Sequence, residues 1–237
     1  MKWPIARHLS STLLPFVAVV FAAGWVFVVL LVFGISLFKD IRVSGWDMAA
    51  AQLARWLLFG IGLHLARKLL QVAVVHGRTR REYAAQAGVF TIALTAVAAA
   101  CAALGYVLES LVYRAAGWPQ ALEQPHFDSG TDVPTTFVAY WAMFAVWTAA
   151  GMLVGSGFDR LQAGGVFTLL IAFALILPAV VTVGRSGSLP FFRGFDITAT
   201  ASLPVALALC AASWAVGLLL TWGLVRDVPI KAGTAQP

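Results

Sequence analysis

Six apolar stretches, each long enough to cross a lipid bilayer, decide what this chain can fold into. They lie near 13–38, 49–75, 85–108, 134–157, 164–184 and 201–225. A helix needs roughly 20 predominantly apolar residues to span the hydrocarbon. Within lipid, each backbone N–H and C=O must find its partner inside the protein. The expected fold is therefore all-α: one transmembrane domain over 1–237 with six spanning helices. Only 11% of the residues are charged, against about a quarter in a soluble domain, and no polar block is large enough to fold separately. The first apolar run, Thr12 to Phe38, far exceeds the ~7–15 residues of a signal-peptide core and reads as a retained helix.

The net charge of +6 sits between the spans, so it reports topology and argues against nucleic acid as a partner. One side of the membrane receives Lys2, Arg7, Arg67, Lys68, Arg78, Arg80, Arg81, Arg160, Arg226 and Lys231. The other receives Lys39, Arg42, Arg114, Arg185 and Arg193, while Arg55 falls inside the second segment. The positive-inside rule places the richer side, and with six spans both termini, in the cytoplasm. The loop 109–133 is acidic, which suits the opposite side. Trp3 and Trp222 are expected at the inner interface, Trp46 and Trp118 at the outer one, and Trp25, Trp147 and Trp214 as packing residues. Arginine over lysine and abundant alanine suit a GC-rich bacterial genome, and hence a bacterial cell membrane.

Some polar residues inside the spans need an explanation. His64, Arg67 and Gln71, at i, i+3 and i+7, share a helix face. Such groups line a cavity, pair, or reach for the interface. The second helix either stops near Leu65 or runs on to Val75 with this stripe turned inward. Glu109 is either a functional intramembrane carboxylate or, the reading its position favours, an interfacial residue near Arg114. Gly151 and Gly155 form a GxxxG pair, which permits close helix packing without naming the partner helix. Residues 2–11 suit either a helix lying along the interface or a solvated tail. The connection 185–200 suits either a re-entrant segment or an exposed loop.

No catalytic constellation stands out. Gly155-Ser156-Gly157 lacks a histidine base on the last span, the four histidines are spread over different depths, and the two cysteines lie deep in apolar segments. No Cys/His metal spacing is present, nor a GxxxxGK[ST] phosphate loop. The chain reads as a non-enzyme, and any ATP-driven work has to draw on another subunit.

Between spans two and three stands Val75-His76-Gly77-Arg78-Thr79-Arg80-Arg81-Glu82. Gly77 allows a sharp turn, Thr79 suits a helix N-cap, and Glu82 sits where it completes a capping box. This stretch is similar to the GxTRR element that follows span two in ABC-2 permeases. With the six-span plan, Leu108-Glu109, the Gly151–Gly155 to Arg160 stretch and the Val225-Arg226 to Lys231 tail, the chain resembles the membrane subunits of ABC-2 type transporters, especially small permeases of Gram-positive bacteria. Tyr83-Ala84-Ala85 and the charged stripe of span two depart from that pattern. The resemblance implies an ABC-2, type V exporter-like transmembrane domain, paired with a second like permease in a homodimer or heterodimer. It further implies a separate ABC ATPase that holds ATP and magnesium, with no cofactor on this chain. Gly77, Arg78, Thr79, Arg80, Arg81 and Glu82 then form the coupling element that docks on the ATPase, and the cargo is a hydrophobic or amphipathic drug, peptide or lipid. Two other readings are a secondary transporter using His64, Arg67 or Glu109, and a structural subunit that moves nothing.

Overall fold

The computed structural model describes residues 4–69, 77, 79–122, 124, 126–127, 129–183 and 201–226. All of its regular elements are helical: α1 (Pro4–Ser36), α2 (Gly45–His64), α3 (Arg80–Ala116), α4 (Val133–Leu161), α5 (Val166–Thr182) and α6 (Leu203–Val225). A π-helical turn, Leu65–Leu69, extends α2, and a 3-10 turn, Gln162–Gly165, joins α4 to α5. Five of these elements are long and apolar enough to cross a membrane, and α5, at 17 residues, is shorter. The protein is a multi-pass membrane protein.

The helices alternate in direction, so the start of α1, the end of α2, the start of α3, the α4–α5 turn and the end of α6 share one end of the bundle, called here the near end. The central helix is α4, whose apolar window is 72% buried. It packs against α2, α3, α5 and α6, and α1 packs on α2 and α3.

Small residues bring α2 and α4 together. A Cβ added at Gly151 would strike the Phe59 carbonyl oxygen, and one at Gly155 would come to 2.7 Å from that of Leu63. On the facing helix, a Cβ at Gly62 would strike the Thr148 carbonyl. The GxxxG pair thus has its partner within this chain, where it lets two backbones touch.

Several boundaries differ from the sequence expectation. Residues 4–11 form neither a separate helix nor a trailing tail; they are the first turns of α1, which continues through Pro15. Helix α3 is 37 residues, about 55 Å, against a hydrocarbon core of ~30 Å, so it extends beyond both limits expected for span three. The second span starts four residues earlier than expected and is helical to Leu69. Its end, expected near Val75, lies outside the described residues, as do Lys2, Trp3, Gln71, Arg78, the connection 185–200 and the tail to Lys231. Trp46 is no interfacial anchor: it is 3% exposed, its indole N–H donates to the Ala102 carbonyl at 3.0 Å, and its ring occupies the space that Gly105 leaves open.

Substitution at the α2–α4 contact separates close approach from helix propensity. Gly151→Ala should lower stability in detergent by about 2 kcal/mol through overpacking. Gly60→Ala, where a new Cβ meets nothing within 4 Å, should leave the thermal midpoint unchanged or slightly raised. Equal midpoints for the two variants would refute the contact.

Candidate functional site

Two polar constructions stand out, one at each end of the bundle. At the far end, α2 begins inside the protein. Its first four N–H groups cannot bond within the helix, and each finds an acceptor elsewhere. The Ser44 N–H donates to the Ala121 carbonyl at 3.0 Å, and the Gly45 N–H to the Tyr113 hydroxyl at 3.1 Å. The Trp46 N–H donates to Glu109 Oε1 at 2.8 Å, and the Asp47 N–H to Ser44 Oγ at 3.0 Å. The Ser44 hydroxyl in turn donates to Glu109 Oε2, which also accepts from the Gln120 amide at 2.9 Å.

Glu109 therefore turns into the protein and is not paired with Arg114. It is 2% exposed and caps a helix distant in sequence. Its negative charge at the positive end of the α2 dipole is favourable, and bonds to a charged acceptor are among the stronger ones.

A second carboxylate lies one turn along. Asp47, 4% exposed, accepts from the Tyr106 hydroxyl and from the Gln124 amide at 2.7 Å. The Tyr106 and Tyr140 hydroxyls share a hydrogen bond of 2.6 Å. Tyr140 lies within electrostatic reach of Arg55, which is wholly buried. Arg55 donates to the Gln52 side chain, and its guanidinium lies 5.3 Å from the centre of the Trp147 ring, a favourable contact once water is excluded. A hydrogen-bonded file of carboxylate and phenols with an arginine beyond it thus runs into the bundle. The 117–132 connection seals its outer end: Gln120 and Gln124 bond inward, the Phe127 ring packs edge-on against Tyr106, and His126 Nε2 lies 2.5 Å from the Thr182 carbonyl oxygen.

At the near end, the described residues of the basic turn are Gly77 and Thr79 to Glu82. Gly77 has φ +73° and is exposed. Thr79 caps α3, accepting from the Glu82 N–H at 3.2 Å while the Glu82 carboxylate accepts from the Thr79 N–H at 3.2 Å. The next residues tie this corner to other helices. The Tyr83 hydroxyl donates to the Leu65 carbonyl at 2.5 Å, and Arg80 Nη1 to the Arg226 carbonyl at 2.5 Å. Arg160 Nη1 donates to the Gly223 and Leu224 carbonyls at 2.9 and 3.2 Å. Two arginines thereby satisfy the final carbonyls of α6. Arg81 is exposed.

Of the stripe on span two, the described residues His64 and Arg67 do not turn into the bundle. His64 is exposed. Arg67, 51% exposed, pairs with Asp159 at 3.3 Å, tying the end of α2 to the end of α4. His64, Arg67 and Glu109 are thus not brought together, and Gly151 and Gly155 serve the α2–α4 contact. Sequence reading passed over Asp47, Tyr106, Tyr140, Gln120 and Gln124. One signal was available: Asp47 and Arg55 stand eight residues apart on one helix face in the most polar of the six spans.

Among the described residues, no group of three or more His, Cys, Asp or Glu is gathered as a metal site. No protein-family model, curated protein or solved structure matches this chain.

Glu109→Ala should cost about 3 kcal/mol, because it leaves buried donors of Ser44, Trp46 and Gln120 without their acceptor. Arg114→Ala, at an exposed position, should be neutral. Chemical or thermal unfolding in detergent checks both, and equal effects would undo the capping role.

Proposed function

We propose that this protein is the membrane permease subunit of an ATP-driven transporter of the ABC-2 kind, resting in a bacterial cell membrane with both termini in the cytoplasm. The observation that carries the reading is the corner Gly77–Tyr83. Gly77, Thr79 and Arg81 are exposed there, Thr79 and Glu82 cap α3, and the corner is bonded to the turn that ends α2 through Tyr83 and to the end of α6 through Arg80. A soluble motor gripping this corner moves three helices at once. Arg81, exposed one residue into α3, is the contact residue for an acidic surface on the ATPase, whereas Arg80 transmits the movement within the permease. The excess of Lys and Arg at the near end supports a cytoplasmic placement of the corner. In this reading ATP and magnesium belong to the ATPase, two permeases form the working unit, and an amphipathic or hydrophobic compound is carried.

The buried Asp47–Tyr106–Tyr140 file favours one second reading, an ion-coupled transporter that needs no ATPase, since intramembrane carboxylates commonly mark ion pathways.

One reconstitution decides between them. With the ATPase that co-purifies, Arg81→Glu should insert and melt like the parent protein yet lose at least about tenfold in ATP-driven transport, a loss equivalent to ~1.4 kcal/mol. Undiminished ATP-driven transport by this variant would remove the coupling role. Proton-driven flux from the chain alone, abolished by Asp47→Asn, would establish the second reading.

A further inference from the structure

The near end of the bundle has a small apolar core of its own. Ala66 in the turn that ends α2, Tyr83 and Ala87 of α3, Met152 of α4 and Val225 of α6 are buried together in a cluster separate from the main core. Among the described residues, four side-chain ties surround it. Arg67 with Asp159 joins α2 to α4, and Arg160 joins α4 to the last carbonyls of α6. Arg80 joins α6 to α3, and the Tyr83 hydroxyl joins α3 back to the turn that ends α2. These ties link four helix ends in a closed ring, and the same four helix ends supply the cluster inside it.

Packing backs this ring unevenly. On the α2–α4 side, a Cβ added at Gly155 would lie 2.7 Å from the Leu63 carbonyl oxygen and 3.0 Å from the Ala66 Cβ. On the α4–α6 side, one at Gly217 would lie 3.2 Å from the Ala149 Cβ. Helices in such contact part only with the loss of many small attractions. The start of α3 is different. Its backbone makes little approach to α6 or to the turn that ends α2. Between α3 and α6 lies a cavity of 210 Å³, lined by Tyr83, Ala84, Gly88, Met152, Trp222 and Val225 among others. A Cβ added at Gly88 would meet nothing within 4 Å, so that wall of the cavity faces open space. Arg80 and Tyr83 thus bridge ends that packing leaves apart. Both bonds run to backbone carbonyls at 2.5 Å, and a separation of about 1 Å carries either past ordinary hydrogen-bond length.

We infer that the near end is a gate. The start of α3 is its moving part, Arg80 and the Tyr83 hydroxyl are its latches, and the cavity between α3 and α6 is the space it closes off from near-end water. Release of the latches moves α3 away from α6 on the side where the least contact is lost. Arg67 with Asp159 and Arg160 with the α6 carbonyls stay in place and keep α2, α4 and α6 as a fixed frame. The gate does not depend on what drives it: a motor gripping the basic corner, or an ion bound at the far end, would open the same latches.

Water access beside Met152 tests it. Met152 is 5% exposed and lines the cavity. The full chain, carrying Cys101→Ala, Cys210→Ala and Met152→Cys, is placed in lipid nanodiscs, where both faces meet water. Its reaction with a charged maleimide is followed by mass spectrometry. Tyr83→Phe and Arg80→Gln should each speed the reaction about fivefold, the effect of one lost hydrogen bond, and together at least about twentyfold. Arg80→Lys, which keeps a donor, should react within about twofold of the latched protein. A second reporter, Ala139→Cys, stands at a position 2% exposed toward the far end of α4 and should react at one unchanged rate in all variants. Equal Met152→Cys rates with and without the latches would overturn the gate. An equal rise at Ala139→Cys would also overturn it, because general loosening would then replace a local opening. Rapid reaction of Met152→Cys in the latched protein would show that the cavity is not closed, and would remove the gate as well.

Discussion

The burial of the N-terminus of α2 is the constraint on which the rest of this bundle depends. A helix beginning inside a membrane protein exposes unbonded amides to a medium that cannot solvate them, and each costs several kcal/mol if left alone. Here Ala121, Tyr113, Glu109 and Ser44 each take one of the four. Meeting that demand draws two turns of α3 and the 117–132 connection onto the start of α2. It also brings Tyr106 against Asp47 and, through Tyr106, Tyr140 of α4. The polar far end is thus the consequence of where one helix starts.

Lower in the bundle, packing takes over from hydrogen bonding. Between helices in lipid there is little hydrophobic drive, so close backbone approach has to hold α2 to α4. Gly62, Gly151 and Gly155 remove side chains where carbonyls come into contact. Cap and glycine seam together locate α2 along its whole length. A fully buried arginine can therefore sit between them, supported by Gln52 and the Trp147 ring.

How much of this was legible in the sequence follows from the range of each interaction. The apolar helices, the turn at Gly77 and the Thr79–Glu82 capping box rest on residues within a few positions of one another, and periodicity or spacing exposes them. The GxxxG pair announced a close contact but not its partner, since the complement is Gly62 on another helix. Glu109 misled because hydropathy places it at the end of a span, where exposure to the interface is the ordinary expectation. Its burial depends on Ser44 and Trp46, more than sixty residues away. Asp47 and Trp46 were obscured in the same way, their partners Tyr106 and Ala102 lying on α3. Arg67 needed Asp159, on the last turn of α4 and ninety-two residues away.

The length of α3 has a mechanical consequence. Arg81 and Glu109 sit on one unbroken helix with no proline between them, about 42 Å apart along its axis. The helix is thus a stiff lever with the basic corner at one tip and the cap of α2 near the other. A tilt of about 5° about its midpoint would displace each tip by about 2 Å, enough to part a hydrogen bond of ordinary length. A push at the near end would then loosen the seal over Asp47 at the opposite face, with no conformational change inside the helix that carries it.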